Sequence, residues 1–263
     1  MISSLEGAVV NLRMEHCASI AKTLCQAIVV GESSGTVSNC SVSDSIVVSA
    51  DTNAYTGAIV GLAKLNSVIS YNTSENNRIM NDGNAAGGIV GQSDVSVRDC
   101  LVNGGDVSGE ESTGGIVGTV TNSAEGICIH GCQSSANISG KYHIGGICGY
   151  YVQYTFIEPS GPLTISECTN RGNLTERAVS DYGLKQYLGG IMGDAQGAVT
   201  ITKCHNSGDV LSDQETCNAS EVNLGGIMGG IYNPEKWECK ISDTDNTGPV
   251  SYTHLTLPTT SRV

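Results

Sequence analysis

The histidines of this chain do not form a known catalytic pattern with its other reactive side chains. The five histidines lie outside any His-Glu-x-x-His motif, so the signature of a zinc peptidase is absent. The glycine-rich phrases are followed by further strand-like residues and lack the Gly-Lys-Ser/Thr of a phosphate-binding loop. These observations predict that the chain is not an enzyme and binds no cofactor.

Carboxylates are the second group to consider, because β-helical polysaccharide lyases and hydrolases gather acids and bases in a lateral groove. Glycosidases in particular need two suitably separated carboxyl groups. The candidate acids here are scattered and have few basic partners: Asp181, Asp194, Asp209, Asp213 and Glu215. We expect each of them to be a solvated loop charge. A carbohydrate-active lyase or hydrolase stays the alternative function.

The eleven cysteines raise the question of a metal site. Cys128 and Cys132 have the closest spacing, and strand alternation would put both on one face, but zinc sites want a second such pair. Free cysteine also behaves as a small buried hydrophobe. We therefore predict a structural role, with one buried cysteine per repeat and no metal. Oxidation of neighbouring cysteines stays open, since strand spacing does not fix the torsion of a disulfide.

Aromatic residues are concentrated in two insertions, at 150–162 and 231–239. In repeat proteins such insertions map to loops that often form the binding face. The two loops lie two repeats apart, which is roughly 10 Å in a stacked β-structure. The candidate ligand-binding residues are Tyr150, Tyr151, Tyr154, Phe156, Tyr232 and Trp237. The alternative is that the loops cover a flank of the fold and bury their aromatic rings there.

Three recurring phrases make up the elements that position these loops. Variants of Gly-Gly-Ile-Val-Gly end at Gly31, Gly61, Gly91, Gly118, Gly149, Gly193 and Gly229. The phrase apolar-x-apolar-x-x-Cys ends at Cys17, Cys100, Cys132, Cys168 and Cys204, with Tyr71 and Thr244 in the cysteine position of two weaker copies. The phrase Cys-x-Asn-x-Gly-x-Val follows directly and contributes Asn170, Asn206 and Asn246.

Three strand-like phrases in a unit of about 30 residues predict one coil of a β-solenoid. The predicted fold class is all-β, a right-handed parallel β-helix with three sides and about 7–8 coils. Residues 1–250 are expected to form one solenoid domain, and 251–263 a non-repeat tail that is spurious or disordered. Equivalent residues should stack into buried ladders: Ile89, Ile116, Ile147, Ile191 and Ile227; Cys100, Cys132, Cys168 and Cys204; Val97, Ile129, Ile165 and Ile201.

The net charge of the chain limits the kinds of partner that it can bind. A net charge of −13 argues against binding to nucleic acid, which needs clusters of lysine and arginine, and against anionic membrane surfaces. No apolar run approaches the roughly 18 residues of a membrane span, and the first residues lack the features of a signal peptide. We interpret the sequence as an internal fragment of a longer protein.

The combined phrase, Cys-x-Asn-x-Gly-x-Val followed by Gly-Gly-Ile-Val-Gly, resembles the GLUG-type repeat of large bacterial surface proteins. The matching residues are clearest from Cys168 to Gly193 and from Cys204 to Gly229. Such repeats also occur attached to immunoglobulin A peptidases and in adhesin-like proteins. The resemblance implies an extracellular, cell-surface adhesin or display stalk without catalysis, joined to the rest of a larger surface protein. Through its aromatic loops, such a module would contact a host glycan or protein.

Overall fold

The computed structural model describes residues 1–121, 126–154, 161–177, 185–212, 221–232 and 235–252. Within these ranges the chain is all-β, and every paired strand lies parallel to the equivalent strand of the neighbouring coil. The strands stack into sheets of seven or eight members, which matches the predicted number of coils. The chain is therefore a parallel β-solenoid, as its repeats predict. No helix that could span a membrane occurs in the described ranges.

Each coil passes through five sheets, which we name A to E in chain order. Sheet A contains Ile2–Leu5, Val30–Ser33, Val60–Ala63, Val90–Ser93, Val117–Thr121, Cys148–Val152, Met192–Gln196 and Met228–Ile231. Sheet B contains Ala8–Val10, Thr36–Ser38, Val68–Ser70, Val97–Arg98, Ile127–His130, Leu163–Ser166, Val199–Thr202 and Cys239–Ser242. Sheet C contains Arg13–Glu15, Ser41–Ser43, Thr73–Glu75, Leu101–Asn103, Gln133–Ser134, Thr169–Asn170, His205–Asn206 and Asp245–Asn246.

The remaining two sheets complete the coil. Sheet D contains Ala18–Ala21, Ile46–Ser49, Arg78–Asn81, Asp106–Gly109, Asn137–Gly140, Leu174–Glu176, Val210–Ser212 and Val250–Tyr252. Sheet E contains Cys25–Gln26, Tyr55–Gly57, Ala85–Gly87, Ser112–Gly114, His143–Gly145, Lys185–Gly189 and Glu221–Gly225. The last strand of sheet D runs two residues past the predicted end of the solenoid at residue 250, and residues 253–263 lie outside the described ranges.

The coil has five strands where the three phrases predict three sides. The reason is that two of the phrases contain a corner. The phrase ending at Gly149 begins in sheet E and finishes in sheet A, because the chain turns sharply at Gly146 and Ile147. The phrase that starts at Cys168 likewise supplies a strand of sheet C and a strand of sheet D. The apolar-x-apolar phrase supplies sheet B alone.

The three predicted ladders are present in the core. Successive isoleucines of the glycine phrase join their backbones, with Ile147 N donating to Ile191 O at 2.9 Å. Ile129 pairs in register with Ile165, and Ile165 with Ile201. The ladder cysteines Cys100, Cys132, Cys168 and Cys204 are each at most 1% exposed. Columns of isoleucine, valine and cysteine side chains thus fill this part of the interior.

Three details of the register differ from the sequence-based expectation. The cysteine position of the third coil is held by Asn72, because Tyr71 takes a left-handed backbone (φ 56°) at the corner and points to solvent. In the first coil Leu12 holds this position, while Cys17 lies at the next corner, before sheet D. Cys128 and Cys132 do not share a face, because the left-handed corner at Gly131 (φ 66°) separates a half-buried Cys128 from a buried Cys132.

The asparagines of the third phrase form a hydrogen-bonded ladder. Asn170 Nδ2 donates to Asn206 Oδ1 at 2.8 Å, and Asn206 Nδ2 donates to Asn246 Oδ1 at 2.7 Å. The same amides also donate to carbonyl oxygens two residues ahead, as from Asn206 to Gly208 at 2.9 Å. The glycine at the sheet E corner packs directly on this ladder, since a Cβ on Gly190 would overlap with the Asn206 amide. The two phrases therefore need each other to stack.

Candidate functional site

The corner between sheets E and A brings together two residues that flank the glycine phrase. The first lies two positions before the leading glycine and the second directly follows the last glycine, seven residues later. In successive coils these pairs are Ser112 and Thr119, His143 and Tyr150, and Tyr187 and Asp194. In-register pairing stacks His143 beside Tyr187 in sheet E, and Tyr150 beside Asp194 in sheet A. The side chains of these four residues therefore meet at the corner between sheets E and A.

We call His143, Tyr150, Tyr187 and Asp194 the His143 cluster. The imidazole lies between two phenol rings, with its centroid 4.3 Å from that of Tyr150 and 5.9 Å from that of Tyr187. The interplanar angles are 17° and 7°, so the three rings are stacked. The Tyr150 hydroxyl donates to Gln196 Oε1 at 2.9 Å, which fixes the outer end of this ring.

Asp194 is the buried charge of the cluster. Its residue is 3% exposed, and its Oδ2 lies 3.5 Å from His143 Nδ1. Burial raises the pKa of the Asp194 carboxyl to about 6 and lowers the pKa of His143 to about 4. Asp194 Oδ1 and His143 Nδ1 are both buried and have no hydrogen-bond partner. A buried polar atom without a hydrogen-bond partner calls for an explanation. At a flank that is partly exposed, a bound ligand could supply the missing partner.

The structure distributes the sequence-predicted aromatic residues over three environments. Tyr150 belongs to the His143 cluster, and Tyr154 and Tyr232 lie close enough to raise its pKa after the larger effect of burial. Tyr154 is 41% exposed and Tyr232 is 59% exposed, so both present ring surface to solvent. That these three residues form a ligand-binding surface stays a prediction.

The other three predicted residues lie elsewhere or outside the described ranges. Tyr151 points inward and is fully buried, because strand alternation turns it away from Tyr150, and its hydroxyl donates to Gly161 O at 3.0 Å. Tyr151 is thus a core residue and not part of a surface. Trp237 is half-buried, with Lys236 Nζ 4.5 Å above its ring. Phe156 lies outside the described residues.

His143, Tyr187 and Asp194 are candidate site residues that the sequence did not predict. We expected Asp194 to be a solvated loop charge, and it is instead buried on a strand of sheet A. The signal that could have found it is positional. Asp194 follows the last glycine of its phrase just as Tyr150 does, so both occupy one column of the solenoid.

Residues 31–35 read Gly-Glu-Ser-Ser-Gly, a match to the Gly-x-Ser-x-Gly nucleophile pattern that the prediction of a non-catalytic chain did not take into account. Ser33 is fully buried at the end of a strand, and its hydroxyl donates to Gly35 O at 3.2 Å, so it is not presented to a substrate. No group of three or more metal-ligating side chains occurs within the described ranges.

No family model, curated protein or solved structure matches this chain. The resemblance to GLUG-type repeats rests on the repeat phrases alone.

Proposed function

We propose that this chain is a non-catalytic repeat module of a bacterial cell-surface protein, and that its tyrosines contact a host glycan or protein. In this proposal the solenoid is an adhesin or display stalk. The glycine, cysteine and asparagine ladders supply the stalk, since each coil is held to its neighbours by main-chain and side-chain hydrogen bonds. The extracellular location and the GLUG relationship belong to the same proposal and rest on the repeat phrases.

The observation that carries the proposal is the grouping of tyrosines on one flank of the late coils. Tyr154 and Tyr232 expose their rings to solvent, and both contribute to the raised pKa of Tyr150 after the larger effects of burial and Asp194, although they belong to coils two apart. Tyrosine offers a flat apolar face together with a hydroxyl, and so suits both sugar rings and protein surfaces. The column of Tyr150 holds no aromatic residue in the three preceding coils, where Leu62, Gln92 and Thr119 stand.

A glycan array probed with the purified chain tests this proposal. The variant Tyr154→Ala/Tyr232→Ala removes two exposed rings without opening the core, and we expect it to bind at least about tenfold more weakly. The matched control is Tyr71→Asn, which removes an equally exposed tyrosine at a distant corner where Asn39 stands in the neighbouring coil. Full binding by the double variant, or equal loss in both variants, would contradict the proposal.

The alternative, a carbohydrate-active lyase, has one observation in its favour. His143 is a neutral base at about pH 7, because burial lowers its pKa to about 4. Burial and the Asp194 carboxylate raise the pKa of Tyr150, which therefore stays protonated and able to donate. A base stacked against an acid is an arrangement that proton abstraction and leaving-group protonation can use. Ultraviolet absorbance of unsaturated product, formed from uronic-acid polysaccharides and lost in His143→Phe, would support this alternative.

A further inference from the structure

We propose that Asp194 anchors a site for a protonated amine carried by a glycan, with the rings of Tyr150 and Tyr187 flanking the ammonium group. The inference rests on the proposed glycan-binding function and adds the chemical class of the ligand. An amino sugar bearing a free amine is such a ligand. Its neutral N-acetylated counterpart is not.

Asp194 has an incompletely satisfied carboxylate. An ionised carboxylate only accepts hydrogen bonds. The backbone N–H of Ala195 interacts with this carboxyl and lowers its pKa against the larger effect of burial, but Oδ1 is buried and has no hydrogen-bond partner. No lysine or arginine of the described ranges forms an ion pair with Asp194; the nearby Lys141 and Lys185 pair with Glu110 and Glu221. The partner that this oxygen lacks must therefore bring both an N–H or O–H donor and a positive charge, which a protonated amine combines.

His143 carries no positive charge at about pH 7 that could balance Asp194. Its Nδ1 lies 3.5 Å from Asp194 Oδ2, yet burial lowers the pKa of the imidazole to about 4. A neutral imidazole leaves the carboxylate without a counter-charge at about pH 7. Burying an uncompensated charge is costly, so a ligand cation is stabilised here more than on an exposed surface. The net charge of −13 also attracts cations to the chain.

Aromatic rings surround the region next to Asp194. Tyrosine faces attract ammonium groups through their quadrupoles. The rings of Tyr150 and Tyr187 both stack with His143, and Tyr150 pairs in register with Asp194. Gly230 continues the column of Tyr150 and Asp194 without a side chain. A Cβ there would lie 3.4 Å from Asp194 Oδ1 and would overlap with the Tyr187 ring. The Tyr187 ring, which is half-buried, therefore borders the carboxylate and must turn aside to admit the amine.

Calorimetric titration at about pH 7 with a glucosamine tetrasaccharide and its fully N-acetylated counterpart tests the inference. We expect the free-amine oligosaccharide to bind the wild-type chain at least about tenfold more tightly. Asp194→Asn keeps the shape of the side chain and should abolish this preference. The control Asp99→Asn removes the same charge from an exposed position and should leave the preference intact.

Three outcomes would overturn the inference. The two oligosaccharides could bind equally, or Asp194→Asn and Asp99→Asn could weaken binding equally, which would indicate a general charge effect. A third outcome is Asp194-dependent binding of a lysine-containing peptide with no binding of the free-amine oligosaccharide, which would assign the site to a protein partner. Binding of neutral glycans that still needs Tyr154 and Tyr232 would leave the proposed function standing without the amine site. No binding of any glycan would contradict both the inference and the glycan-binding form of the proposed function.

Discussion

His143 and Tyr150 stack their rings at 4.3 Å although seven residues and the tightest corner of the coil separate them. The contact exists because the Gly-Gly-Ile-Cys-Gly phrase folds sheet E back against sheet A. A Cβ on Gly145 would overlap with the carbonyl oxygen of Cys148, which shows how closely the two strands approach. The phrase that recurs most often therefore also sets the geometry of the candidate site.

Asp194 and His143 should make the free energy of unfolding depend on pH in opposite directions. Asp194 has a folded-state pKa of about 6, above its ordinary 3.8, so its contribution to stability grows as pH falls through 6. His143 has a folded-state pKa of about 4, below its ordinary 6.5, so its contribution is lost as pH falls through 4. Each effect amounts to about 3 kcal/mol at most, and in the wild-type chain they offset each other.

Single variants separate the two contributions. Between pH 6.5 and 4 the free energy of unfolding should fall in Asp194→Asn, which keeps only the histidine effect. Over the same interval it should rise relative to the wild type in His143→Phe, which keeps the ring stack and the aspartate effect. Urea unfolding at a series of pH values measures both. If the free energy of unfolding changed with pH in the same way in both variants, the pKa shifts given for Asp194 and His143 would be contradicted.

Close stacking at the glycine corner should make Gly190 intolerant of a side chain. A Cβ at this position would overlap with Gly226 O and with the amide of Asn206. We expect Gly190→Ala to lower the free energy of unfolding by about 3 kcal/mol or more. Gly7→Ala is the control, since nothing lies within 4 Å of the added methyl group. A similar thermal midpoint for both variants would show that the corner is looser than described.

The asparagine ladder should be a cooperative element of stability. Asn206 is fully buried, accepts from Asn170 and donates to Asn246 and Gly208. Asn206→Ala leaves these partners unsatisfied and should cost about 2–4 kcal/mol in chemical unfolding. Asn103→Ala, at an exposed position of the same sheet, should cost no more than about 0.5 kcal/mol. A cost for Asn206→Ala as small as that of the control would refute the ladder.

The cysteines should differ sharply in reactivity. Cys239 is exposed, although partial burial of its thiol raises its pKa, whereas the ladder cysteines are buried. Alkylation requires an accessible thiolate, so mass spectrometry of the native chain should find Cys239 modified before the ladder cysteines. Cys100, Cys132, Cys168 and Cys204 should react at least about a hundredfold more slowly, because they need the solenoid to open. Uniform labelling would contradict the buried ladder.

The repeat phrases were sufficient to predict the solenoid and its three buried ladders, because stacking turns a period in sequence into a column in space. They were insufficient for the corners. A left-handed residue precedes the cysteine column in successive coils, as at Asn39, Tyr71 and Asp99, so Tyr71 is the corner residue and Asn72 fills the column. The candidate site was half-predicted: Tyr150, Tyr154 and Tyr232 were visible as aromatic insertions. His143, Tyr187 and Asp194 follow only when the two strands of the corner are known to face each other.

The most direct test is NMR of the chain with isotope-labelled tyrosine rings, titrated with the glycan that binds best on the array. If this flank is the binding surface, the ring resonances of Tyr150, Tyr154, Tyr187 and Tyr232 should shift together in one saturable transition. Tyr71, on another corner, and Tyr151, in the core, should not shift in that transition. Shifts confined to other tyrosines, or the absence of any saturable shift in the four named rings, would contradict the assignment of this flank as the binding surface.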